Sequence, residues 1–174
     1  MQWKARHLAL LAALPLVLGT ASADKPKPPR GTPEQVQTIN DLRNVGTAMY
    51  AWYRTEMEPR RSEEGHKGQT KAAEDPQADI TSIPVISRDE LAKVLVPKYI
   101  QAIPEQDGWG HPYEYRLNTQ DPNALHVMAL RSEGSDSQFS GNLYEVGSFA
   151  YTETAQDLAW MDGYFIRWPE PPTP

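Results

Sequence analysis

The chain has no cysteine. No disulfide can staple it, so packing or a bound metal must supply that stability. The same absence removes the thiol on which a lipoprotein anchor is built. An excess of basic charge is missing too: 17 Lys and Arg stand against 23 Asp and Glu, a formal charge of −6. That balance argues against a nucleic-acid partner and makes a cation or a basic protein surface the natural complement. There is no H-E-x-x-H zinc motif, no glycine-rich phosphate loop and no G-x-S-x-G elbow. The four His are scattered, which disfavours a zinc site. Acids are plentiful, but no spacing selects a pair for glycoside hydrolysis. His111 and His126 lie upstream of Ser132, Ser135, Ser137 and Ser140, yet nothing in the sequence orients a His against a serine.

A long apolar run is also absent. The longest, Leu8 to Gly19, has twelve residues, where a spanning helix needs about 20. Lys4, Arg6 and His7 precede it and Ala21-Ser22-Ala23 follows, the pattern of a secretory signal peptide over 1–23. Cleavage there removes Lys4 and Arg6 and no acid, taking the charge from −6 to −8. The expected product is periplasmic or secreted, with no transmembrane anchor after signal cleavage. Residues 24–31, with Lys25-Pro26-Lys27-Pro28-Pro29, read as an extended Pro-rich linker.

What is present is a helix, loops and strands. Thr32, Pro33 and Gln35 make a strong helix start. Val36, Ile39, Leu42, Val45, Met49 and Trp52 recur every three or four residues, so an amphipathic helix is expected from Pro33 to about Met57. Gly46, Ala48 and Ala51 leave room for close packing. Residues 60–80 are polar and read as a mobile loop. Ser87 and Glu90 form a second capping box, opening a short helix ended by Pro97. Strands are expected over 113–117, 125–130, 157–160 and 164–168, with Asp162-Gly163 as a hairpin turn. Residues 170–174 form a Pro-rich tail. The order is that of an α+β domain over 32–169: a long amphipathic helix packed on a small antiparallel sheet with long loops.

Asp107-Gly108-Trp109-Gly110-His111-Pro112-Tyr113-Glu114-Tyr115 is the turn that feeds the sheet, with Trp109 expected as its buried nail. Further on, Arg131-Ser132-Glu133-Gly134-Ser135-Asp136-Ser137 is rich in oxygen donors, and Asp157 begins a later strand. Calcium takes six to eight such oxygens. A solvated polar loop explains the same composition.

These pieces resemble, in order, the periplasmic domain of the major pseudopilin of the type II secretion system. Asp41 to Met49 looks like its helix, and Leu95-Val96-Pro97-Lys98-Tyr99-Ile100 like the approach to its sheet. Asp107 to Tyr113 resembles its D-x-W-G-x-P-[YF] turn. Leu130 to Asp136 resembles its S-x-G-x-D loop, and Asp157-Leu158 with Asp162 to Pro169 its C-terminal hairpin. The resemblance implies a pilin-like fold and a calcium ion held by Asp136 and Asp157, with Ser132 and the backbone carbonyl of Leu130 as further ligands. It departs at the N-terminus, where a secretory signal and linker replace the prepilin leader and long apolar helix. The implied role is a non-enzymatic structural or interaction protein for secretion or pilus-type envelope assemblies, with those envelope proteins as partners and protein transport as the process. The alternative is an exported hydrolase of unknown substrate.

Overall fold

The computed structural model describes residues 31–73 and 75–170. The expected signal peptide, almost all of the linker and all of the tail but Glu170 lie outside the described residues. Helix α1 spans Pro33–Trp52 and continues through a π-turn, Tyr53–Met57, and a 3₁₀ turn, Glu58–Arg60. Its capping box is reciprocal: Gln35 N donates to Thr32 Oγ1 at 3.3 Å, and Thr32 N donates to Gln35 Oε1 at 2.9 Å. Leu42, Val45, Met49 and Trp52 are buried as the periodicity predicts, whereas Val36 and Ile39 are half-buried. In the first turns Gln35 and Thr38 are buried instead, because that end of the helix meets a polar corner rather than the apolar core.

The 60–80 segment is not a loop throughout. Helix α2, Glu63–Ala73, and strand β1, Gln77–Asp79, occupy most of it. Ser62 starts α2, its hydroxyl accepting from Gly65 N and its carbonyl from His66 N. Ser62 is of a cap-forming residue type, but the segment has no apolar stripe to mark a helix by its periodicity. β2, Val85–Ile86, then precedes helix α3, Arg88–Leu95, which has the expected Ser87–Glu90 capping box.

The remaining strands are β3 (Glu114–Leu117), β4 (Met128–Ser132), β5 (Leu143–Glu145), β6 (Gly147–Phe149), β7 (Leu158–Met161) and β8 (Tyr164–Pro169). Six of the strands form one sheet in the order β2-β3-β4-β7-β8-β6. All its pairs are antiparallel except β6 with β8, which is parallel, so the sheet is not wholly antiparallel. β1 and β5 make a separate two-stranded ladder that pairs Ala78 with Tyr144. The expected second strand starts three residues late: Leu125 is 51% exposed, and Asp162 Oδ1 accepts from Val127 N and Met128 N where the ladder begins.

Both faces of the large sheet are covered. On one, α1 and α3 pack Leu42, Val45, Met49, Leu91 and Leu95 against Tyr115, Leu117, Leu130, Leu158 and Trp160. On the other, Ala78, Ile80, Ile83 and Tyr144 pack against Ala129, Ala159, Met161 and Ile166. A Cβ on Gly46 would stand 2.5 Å from the Trp160 ring, so this glycine sets how closely α1 approaches β7. The architecture is therefore α+β, with one long helix crossing a twisted sheet. No helix among the described residues is long and apolar enough to cross a membrane.

Candidate functional site

The Asp107 corner is docked on α1. A Cβ on Gly108 would stand 2.2 Å from the Glu34 carbonyl oxygen, and Gly108 N donates to Thr38 Oγ1 at 3.0 Å. Gly110 adopts φ +89°, a region open to glycine. Asp107, 3% exposed, is the hub: Oδ1 accepts from Trp109 N and His111 N, each at 2.9 Å. Trp109 itself is half-buried, so the nail of this corner is the aspartate rather than the indole.

The second oxygen of Asp107 reaches the loop after β4. Ser132 Oγ donates to Asp107 Oδ2 at 2.5 Å and accepts from Gly134 N at 3.2 Å. His111 makes two more bridges, Nδ1 to Gly134 O at 2.9 Å and Nε2 to Ser137 Oγ at 2.8 Å. The turn and the loop that the sequence singled out are thus one body. A serine does face a histidine here, which the sequence did not reveal. His126 instead lies 2.9 Å from Asp162 Oδ2.

Asp157 lies at the far side of the loop, 2% exposed. Its Oδ2 accepts from Tyr144 Oη at 2.6 Å and Ser140 N at 3.0 Å, while its Oδ1 is buried without a protein partner. Burial pushes the Asp157 carboxyl above its ordinary range, and the charge of Asp136 pushes the same way. The phenol is held in turn by Arg131 Nη1 at 2.7 Å, and burial raises the Tyr144 hydroxyl as well. Arg131 also meets Glu114 at 2.9 Å and lies 3.7 Å from the centre of the Phe139 ring. Arg116 Nε meets the same Glu114 oxygen at 2.6 Å. A chain from half-buried Glu114 through buried Arg131 and Tyr144 to buried Asp157 therefore braces the loop; an unpaired buried charge would be costly there.

The expected cation ligands fare differently. Asp157 is buried with one oxygen to spare, and exposed Asp136 is close enough to act on its charge. The Ser132 hydroxyl is engaged by Asp107 and Gly134. Leu130 sits inside the sheet opposite Tyr115 and Trp160, three residues along β7 from Asp157, about 10 Å at the rise of a strand. No group of three or more His, Cys, Asp or Glu side chains gathers for a metal among the described residues.

A concavity elsewhere in the fold escaped sequence reasoning. The π-turn and the exit of α3 enclose an open groove of about 390 Å³, where Lys98 Nζ lies 3.0 Å from Glu56 and Tyr99 Oη 3.2 Å from it. No periodicity in the residues announces the extra residue of a π-turn. Compared with known proteins, the chain matches no family model, no curated protein and no solved structure.

Proposed function

We propose that this is an exported structural or interaction protein with a pilin-like domain, working with secretion or pilus-type envelope assemblies. The observation that carries this reading is the Asp107–Ser132 contact. It joins two of the stretches that resemble the major pseudopilin, in a domain built on one long helix and a sheet. The buried, unpartnered Asp157 Oδ1 supports a calcium ion as part of the same proposal, with Asp157 and Asp136 as ligands. A bound ion would supply the missing partner of that oxygen and offset the burial of its charge.

Two measurements test the proposal separately. At a calcium concentration 100 times its Kd, the ion should stabilise the mature chain by about 2.7 kcal/mol. A melting temperature identical in calcium and in chelator removes the ion from the proposal. Deleting the gene should impair secretion or pilus assembly, and intact secretion, pili and envelope would overturn the role itself.

A further inference from the structure

His111 and Ser137 come from the two stretches tied together at Asp107, and with Gly134 they form a directed chain of three groups. The Gly134 carbonyl can only accept, so His111 Nδ1 donates to it. In the neutral ring, Nε2 then accepts from Ser137 Oγ. Orienting acceptor, imidazole and hydroxyl is the order a base needs to take a serine proton. The imidazole is anchored through its backbone, His111 N donating to Asp107 Oδ1 at 2.9 Å and Asp107 N to His111 O at 2.7 Å. Gly134 is equally fixed, since a Cβ there would meet the carbonyls of Thr154 and Gln156 at 2.6 and 2.7 Å. Ser137 is exposed and sits at φ 59°, ψ 35°, the left-handed region that residues with a Cβ rarely adopt. Such outliers gather at functional sites.

We infer that Ser137 is a nucleophile activated by His111, and that it takes the acyl group of small esters reaching the loop surface. Ser137 Oγ bonds to the ester carbonyl carbon as its proton passes to His111 Nε2. The ester C–O bond then breaks, and the leaving alkoxide takes that proton as the alcohol. Water repeats the sequence on the acyl-serine and releases the acid, restoring the hydroxyl. The Gly134 carbonyl orients the imidazole but brings no full negative charge to the imidazolium, so acylation and deacylation are both slow and covalent labelling is the direct readout. This activity does not rest on the structural role proposed above, and its failure leaves that role standing.

The test is a fluorophosphonate probe on the mature chain, with the labelled residue mapped by mass spectrometry. Ser137 should carry the label. Ser137→Gly, which suits the left-handed backbone, should carry none. His111→Gln should slow labelling by about 100-fold or more, and hydrolysis of p-nitrophenyl acetate should fall in both variants. An unlabelled wild type, a label spread over several serines, or labelling of His111→Gln at the wild-type rate would each overturn the inference. If His111→Gln no longer melts cooperatively, the map on the wild type decides alone: label confined to Ser137 supports it, and label elsewhere overturns it.

Discussion

Ser132 Oγ and Asp107 Oδ2 lie 2.5 Å apart, both residues buried, and this bond fastens the loop after β4 to the corner before β3. Asp107 also accepts two backbone N–H groups, so three donors converge on one carboxylate. Ser132→Ala removes one of them from a buried carboxyl group. The expected loss is about 1.5–3 kcal/mol, read from the urea midpoint. A loss under about 0.5 kcal/mol, the scale of an ordinary surface change, would mean that the bond holds little.

The approach of α1 to the sheet rests on Gly46. Alanine there improves helix propensity by roughly 1 kcal/mol, but its Cβ runs into the Trp160 ring at 2.5 Å. Overpacking should prevail, for a net loss of about 1–3 kcal/mol. A stabilised Gly46→Ala would show that α1 slides away freely. Trp109 gives the contrasting case. Being half-buried, it should cost about 2 kcal/mol on truncation to Ala, less than the 3–5 kcal/mol of a fully buried ring.

The charge on Asp157 makes stability depend on pH in an unusual direction. Its carboxyl is raised above the ordinary 3.8, first by burial, so the native state keeps a proton that the unfolded chain has released. The stabilisation this gives is complete below pH 3.8 and is lost as pH rises through the higher folded value. Asp157→Asn should flatten that fall. Paired urea titrations over roughly pH 4 to 7 would show it, because Asp41, raised by burial in the same sense, is common to both chains. Parallel profiles would mean that the burial of this carboxylate does not govern its titration.

The two capping boxes offer a local test. Thr32→Ala and Ser87→Ala each remove an acceptor for an otherwise unpaired helix N–H. Each should lower stability by about 1 kcal/mol. Because Thr32 bonds only Gln35 and Ser87 only Glu90 in these boxes, with no shared partner, the double variant should be additive to within about 0.5 kcal/mol.

What the sequence determined by itself is local. Thr32-Pro33-Glu34-Gln35 and Ser87-Arg88-Asp89-Glu90 place two helix starts, because a cap is satisfied within three residues. Leu42, Val45, Met49 and Trp52 face the core as their spacing requires. Asp162-Gly163 turns β7 into β8, with Asp162 at φ 46° and Gly163 at φ 115°. Tertiary structure alone decided the rest. β1 and β5 are strands because they pair across 60 or more residues, where neither alternates well enough to be read on its own. β6 lies parallel to β8, an arrangement that no local pattern specifies. The candidate site is of the same kind. Asp107 and Ser132, His111 and Ser137, and Tyr144 and Asp157 are each separated by 13 or more residues along the chain. Their chemistry exists only once the sheet has brought its corner and its loop to one place.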